Sequence, residues 1–429
     1  MGQIETRLDA SHPVSLLVPP TSALERLSVS LRAVAPPQAA ELGRILKPES
    51  LVAEVVDSTQ ALGALEPQWQ DLADHAVEAN PFYEPWMALP ALERLTHGEV
   101  RVVLIHAPHP SGRKGERLLC GLFPLERQTR RGVRFLQSWR YPFCYLGTPL
   151  LRRGCAKEAL TTFFDWLARE APREGPLRLF DLSGGGEVRR HLVDALYERS
   201  WAGIQDVSYT RAYFRRASTA EAFIQGAPLG GRRRKELRRL EARLAEKGRL
   251  EYRALETLDD LPVWVAAFVK LESRGWKGRA DVAVQSHEEQ LRFFEEMARQ
   301  AFLRGKLQML SLELDGRPLA MKVNLDAQDG AVAFKIAYDE EYARFSPGVL
   351  LELENIRQLH DSDRAWMDSC ASPNRFMINQ LWPDRVEITS LWVVPPKSRL
   401  GWVLAALPLV RLLSQRFRGP PKPAPEAAP

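Results

Sequence analysis

The sequence predicts a mixed α+β (α/β) chain of two similar units in tandem, each a mostly antiparallel sheet flanked by helices. Three observations carry that expectation. The composition is globular: of 429 residues, 45% are hydrophobic and 26% charged, enough apolar residues for two or three cored domains. The order strand, turn, strand, strand, helix, strand reads once around residues 101–182 and again around 307–368. The strands that close the two units end alike, in LFDLSGG and WMDSCAS, so Asp181 and Asp368 take equivalent places.

The elements follow in order. LVAEVVD, from Leu51, is a strand by its β-branched content. TQALGALEPQWQDLADHAVE has helical spacing at Leu65, Trp69 and Leu72, and EPW opens a further helix in NPFYEPWMALPALERL. VRVVLIHA and RLLCGLFPLERQ are strands joined by the turn-rich PHPSGRKGE. A β/aromatic stretch around RFLQSW, the amphipathic helix KEALTTFFDWLARE, the strand LRLFDLSGG and the helix EVRRHLVDALYER follow. In the second unit SHEEQLRFFEEMARQAFLRG is a helix, and KLQMLSLELDGRPLAMKVNLDA is a β-hairpin turning at Asp315-Gly316. GAVAFKIAYD is a strand, YDEEYARFSPGVLLELENI gives the next helix, and DRAWMDSCAS gives a strand. The boundaries are a disordered leader at 1–48, a first unit at 49–215, a second at 216–398, and an apolar and basic helix with a disordered tail at 399–429.

A net charge of +5 permits an anionic ligand without demanding nucleic acid. Cys120, Cys144, Cys155 and Cys370 form no CxxC pair and have no histidine at metal-ligand spacing, which predicts reduced thiols and no metal. Glu5 and Asp9 interrupt any secretory start, which predicts a cytoplasmic chain. LGWVLAALPLVRLL, from Leu400, falls short of the roughly 20 residues that span a bilayer, and Pro408 interrupts it. It packs on the body, or it makes peripheral contact with the inner membrane face through residues 400–418, with Arg411, Arg416 and Arg418 toward headgroups.

No nucleophile elbow, Walker loop, HExxH or GxGxxG occurs, and the functional signals lie in the second half. GGRRRKELRRLEARLAEKG sets Leu237, Leu240 and Leu244 on one helical face and a net +5 over Arg232 to Lys247. It is a solvated amphipathic helix or an anion-facing surface, without aromatics to stack on bases. In LESRGWKGR, glycines flank Trp276 and Lys277, an aromatic and a cation that suit a ligand wall. At the strand-to-helix joint Ser346 is an N-cap, Pro347 suits the first helical position, and Gly348 lets a ligand approach. Such a helix start favours phosphate.

With RRRKELRRLEARL, LESRGWKG, LELDGRPLAMKVNL, FKIAYDEEYARFSPGVLLELENI and WMDSCASPNRFMINQLWPDR, residues from about Gly230 to Asp368 resemble a GNAT-superfamily acetyltransferase domain. The subgroup is called BioF2-like or CelD-like and is related in fold to the Fem peptidyltransferases. The first half resembles the partner unit of that family through NPFYEPWMALPAL and FDLSGG. The resemblance implies two GNAT-like units and transfer of an acyl group from acetyl-CoA or another acyl-CoA to an amine, such as an amino sugar in envelope or polysaccharide biosynthesis. It places the cofactor at Arg344, Ser346, Gly348 and Val349, although RFSPGV has one glycine where the family pattern has two small residues. The candidate base is Asp339 or Glu340, and the candidate acid is Tyr338 or Tyr342. The resemblance also implies that a backbone amide of a splayed strand polarises the thioester carbonyl. Trp276, Lys277, Lys335, Asp368 and Asn379 are the candidate acceptor-binding residues. Two alternatives stay open: a Fem-like ligase that uses aminoacyl-tRNA, and a non-catalytic partner on a membrane surface.

Overall fold

The computed structural model describes residues 15–16, 50–96, 98–109, 116–130, 132–275 and 284–395. The first half contains β1 (Ser15–Leu16), β2 (Val52–Val56), α1 (Thr59–Ala64), α2 (Glu66–Asp74), α3 (Pro85–Arg94), β3 (Val100–Pro108), β4 (Arg117–Arg130), β5 (Val133–Ser138), β6 (Leu150–Leu151), α4 (Ala156–Glu174), β7 (Leu177–Ser183), α5 (Glu187–Glu198) and β8 (Ala202–Arg215). The second contains α6 (Ala220–Gly226), α7 (Gly231–Ala245), β9 (Leu250–Ala254), α8 (Leu261–Arg274), α9 (Glu288–Leu303), β10 (Leu307–Leu314), β11 (Arg317–Ala327), β12 (Gly330–Tyr338), α10 (Pro347–Asp361), β13 (Trp366–Asp368), α11 (Phe376–Leu381) and β14 (Asp384–Val394).

Local chemistry explains the elements that frame the site. The β10–β11 hairpin closes at Asp315 (φ 51°) and Gly316 (φ 76°), the two left-handed residues of the tight hairpin turn that Asp-Gly favours. Helix α9 buries Phe293, Phe294, Met297, Ala298 and Ala301 at helical spacing. Its sequence neighbour Gly305 has a positive φ of 64° just past the helix end.

The strands form one sheet in the order β2-β3-β4-β5-β7-β14-β8-β13-β12-β11-β10-β9. Each half contains a parallel pair beside an antiparallel meander: β5 runs with β7 at Leu136–Leu177, and β12 runs with β13 from Gly330–Trp366 to Val332–Asp368. The fold is mixed α/β with two units of similar topology. The last strand of each half is exchanged: β8 lies against β13, and β14 lies against β7. The two exchanged strands also pair with each other, from Ala202–Val394 to Tyr213–Asp384. A division at 215/216 therefore follows the order of the chain but leaves each spatial unit holding the other's strand.

Helices α4 and α5 cover one face of the first unit through Leu160, Phe163, Phe164 and Leu192. Helices α6, α7, α10 and α11 cover the corresponding part of the second through Phe223, Leu237, Leu350, Ile356 and Leu381. A shared core joins Phe82, Trp86 and Met87 of the first half to Phe268, Phe293, Phe294 and Phe334 of the second. Polar clasps cross the same junction. Lys306 Nζ lies 2.5 Å from the buried Glu84 carboxylate, and Gln328 Nε2 donates to the carbonyls of Ala73 and Ala76, both at 3.0 Å. No helix among the described residues is long and apolar enough to cross a membrane, and residues 400–418 lie outside them.

Candidate functional site

Strands β12 and β13 are paired only as far as Val332 and Asp368; β12 then continues with β11 as its partner to Tyr338. A register shift opposite Val323 and Asn324 places an extra residue, Phe334, in β12, a β-bulge where the strands part. Beyond Tyr338 the chain makes a 3-10 turn, Glu340–Phe345, and enters α10 through Ser346. Ser346 holds the N-cap position that its sequence context predicts. Its backbone is left-handed (φ 55°, ψ 48°), and its side chain makes no capping bond. Instead, Arg233 of α7 donates to its Oγ at 3.1 Å.

The amides at this joint are mostly engaged. Ser346 N–H donates to Ala343, while Val349 and Leu350 both donate to the Ser346 carbonyl at 3.0 and 3.1 Å. Pro347 has no N–H, and the Gly348 amide enters none of the turn, loop or cap bonds among the described residues. Side chains therefore supply much of the positive character. Arg344 lies 4.9 Å and Lys247 5.9 Å from the centroid of the Phe345 ring, so they gather with Arg233 at the positive end of the α10 dipole. Gly348 faces a ring rather than open space: a Cβ there would stand 3.5 Å from Tyr338 Cδ1, an ordinary contact. Tyr338 and Tyr342 pack toward the α10 core cluster.

Lys335 and Asp368 meet a loop of the first half. Lys335 Nζ is 2.9 Å from Glu272 Oε1, with both side chains buried, and lies 5.0 Å from the Phe143 ring centroid. Glu272 Oε2 also accepts from the Val284 amide at 2.9 Å. Arg211 of β8 donates to Asp368 at 2.6 Å and to the Tyr145 carbonyl at 2.9 Å. Phe143 and Tyr145 each pack on Phe334, with centroids 6.1 Å apart in both pairs. Burial pushes the Tyr145 phenol up, and nearby Cys370 and Glu272 push it further. Burial likewise raises the Cys370 thiol, with Asp368 adding to the effect. Burial is the largest influence on Arg211 and acts to lower it, but the charges of Asp368, Cys370 and Tyr209 and the Asp368 hydrogen bond together outweigh it and hold the guanidinium above its ordinary value.

The expected site residues thus divide into groups. Arg344, Ser346, Gly348 and Val349 share the helix start, with Tyr338 behind Gly348. Lys335 and Asp368 share the inter-unit loop. Asp339 is committed elsewhere: one carboxylate oxygen caps the Glu341 amide at 3.0 Å, and the other pairs with Arg317 at 2.5 Å. Tyr342 lies under the same Arg317 guanidinium. Asn379 donates to the Pro373 carbonyl at 2.7 Å and ties down the segment after β13. Trp276 and Lys277 lie outside the described residues. Arg211 and Tyr145 belong to the site through structure alone. Their sequence signals are one arginine within SYTRAYF and one tyrosine in the aromatic YPFCYLG. No group of three or more His, Cys, Asp or Glu suited to a metal occurs among the described residues.

Three solved structures illustrate the likeness. A conserved protein of unknown function from Bacteroides thetaiotaomicron VPI-5482 is 9% identical, with 80% of this chain and 100% of that chain covered and a TM-score of 0.51, a likeness of fold alone. A structure described as FemX is 10% identical, with 78% and 96% covered and a TM-score of 0.49. A tandem GNAT protein from the clavulanic acid biosynthesis pathway is 13% identical, with 80% and 98% covered and a TM-score of 0.40. No curated protein matches the sequence. Residues 231–376 match the family model described as an Acetyltransferase (GNAT) domain, so the stretch from α7 to the first residue of α11 carries a GNAT acetyltransferase domain.

Proposed function

We propose that the chain transfers an acyl group from acetyl-CoA or another acyl-CoA to the amine of a small acceptor. One observation carries this reading. Inside the matched domain, β12 parts from β13 and leads into a helix start surrounded by Arg233, Arg344 and Lys247. The residues present fit a phosphate-bearing cofactor, because three cations and the Gly348 amide converge on one helix end. Arg233, Arg344, Lys247 and the Gly348 amide would hold its phosphates. When bound, the thioester supplies an acyl carbon activated toward an amine.

The remaining work falls to residues of the chain. The bulged edge of β12 at Phe334 supplies backbone dipoles beside the acyl position. Lys335 and Asp368, held by Glu272 and Arg211, orient the acceptor. Phe143, Tyr145 and Phe334 form an apolar wall that excludes water. Asp339 is a poor choice of base because its oxygens serve the turn and Arg317. An amino sugar is the acceptor class that the BioF2-like and CelD-like resemblance favours.

Thermal denaturation of the full chain with acetyl-CoA or octanoyl-CoA tests the reading. A rise in Tm is expected, and Arg344→Glu should abolish it. Absence of a shift with any acyl-CoA overturns the proposal. The aminoacyl-tRNA reading draws on the basic face of α7, and filter binding of charged tRNA across a salt series separates it by its slope.

A further inference from the structure

The solvent face of α7 carries more positive charge than the helix start of α10 employs. Arg232, Lys235, Arg239 and Arg243 fall on one side of the helix, and all four are exposed. At about 1.5 Å per residue the stripe is roughly 16 Å long. Arg238 is exposed beside it, while Leu237 and Leu244 anchor the opposite face. The acids of this helix are directed elsewhere: Glu236 pairs with Arg233, and Glu241 accepts from Tyr252. Among the described residues none of the four stripe cations has a carboxylate partner. Like charges at this spacing repel one another, so an acidic surface laid along them gains from their relief.

The stripe starts at the site. Arg233, adjacent to Arg232, donates to Ser346 at the head of α10. A phosphate held there lies at the foot of the stripe, so a macromolecule bearing that phosphate would rest along α7. The exposed face of α7 has no aromatic residue on which bases could stack. Its exposed apolar residues, Ala242 and Ala245, are too small to anchor in a lipid surface. What it offers is a straight row of cations suited to an acidic helix.

We propose that this face docks an acidic, helical carrier protein that presents the acyl group as a 4′-phosphopantetheine thioester. The carrier's phosphodiester sits at the start of α10, and its acidic helix runs along Arg232, Lys235, Arg239 and Arg243. The transfer is balanced: the acceptor nitrogen forms a bond to the acyl carbon, and the carbon–sulfur bond breaks. The electron pair leaves with sulfur, and a proton from the amine completes the carrier thiol. This proposal rests on thioester-dependent transfer and narrows its donor.

The test is fluorescence anisotropy of labelled acetyl-holo acyl carrier protein with the full chain, in parallel with the acetyl-CoA melting shift. R232E/K235E/R239E/R243E should weaken carrier binding at least about tenfold and leave the acetyl-CoA shift in place. Arg239→Glu alone should weaken it measurably, which keeps the test available if the quadruple variant misfolds. Unchanged carrier binding in the variants overturns the proposal. So does tighter, stripe-dependent binding of a short single-stranded RNA or of phosphatidylglycerol vesicles. Carrier binding without any acetyl-CoA shift supports docking while refuting free acyl-CoA as donor; an acetyl-CoA shift without carrier binding does the reverse.

Discussion

Arg211 of β8 and Asp368 at the end of β13 form a buried ion pair across 157 residues of sequence, with Nη2 and Oδ2 2.6 Å apart and side-chain exposures of 2% and 9%. The pair fastens a strand from the first half into the sheet of the second, next to the inter-unit loop. Loss of one partner leaves a buried charge uncompensated. Arg211→Met should lower unfolding free energy by about 3–5 kcal/mol. R211M/D368L should recover part of that loss, because the Tyr145 carbonyl and the Cys370 amide still lose their partners. Urea denaturation of the three proteins checks both statements.

The Glu78 carboxylate provides a pH dependence. It accepts from the Val188 amide at 2.6 Å, at the N-terminus of α5. Burial pushes its pKa up to about 7, against the opposing pull of the Val188 bond, and the Glu187 charge adds to the rise. The folded value exceeds the unfolded one, so the ionised form costs stability. That cost is absent below about pH 4.5 and complete above about pH 7. Glu78→Gln should be more stable than the parent by about 3 kcal/mol at pH 8 and no different at pH 4. Melting curves across that range decide; a constant difference at every pH would refute the assignment.

At the head of α10, Ser346 adopts a backbone conformation that costs a side-chain-bearing residue about 1–2 kcal/mol. Ser346→Gly relieves that strain but removes the acceptor for Arg233. Tm should therefore hold or rise. Acyl-CoA binding should weaken several-fold as Arg233 loses its tether, read by the ligand-induced melting shift.

The strand exchange makes a prediction about fragments. Residues 49–215 alone lack β14, which lies between β7 and β8 in the intact sheet. The fragment should show no cooperative thermal transition, whereas residues 49–395 should show one. A sharp transition in the short fragment would mean that β7 and β8 pair directly in its place.

Much of the element order was legible because it depends on short-range patterns. Asp315-Gly316 marked its hairpin, and the α9 apolar residues marked their helix, since turn chemistry and helical periodicity act within a few residues. The exchanged strands were missed for the opposite reason. Ala202–Arg215 places Arg211 and Asp206 among apolar residues, which blurs the alternation expected of a strand. Nothing local in Asp384–Val394 announces that its neighbour is β7. The site divides in the same way. The helix start at Ser346 could be read from three consecutive residues, whereas the partners of Lys335 and Asp368 come from Glu272 and Arg211, on distant elements. The role of Asp339 as a cap paired with Arg317 depends on a residue 22 positions earlier.

The exchange of β8 and β14 also constrains synthesis. As the chain leaves the ribosome, β7 emerges about two hundred residues before its sheet neighbour β14. Until then β7 presents an unpaired edge, and β8 waits for β13 as well. The first half must therefore persist as an incomplete sheet, exposed to misassociation and to chaperones, until nearly the last described residue has been made.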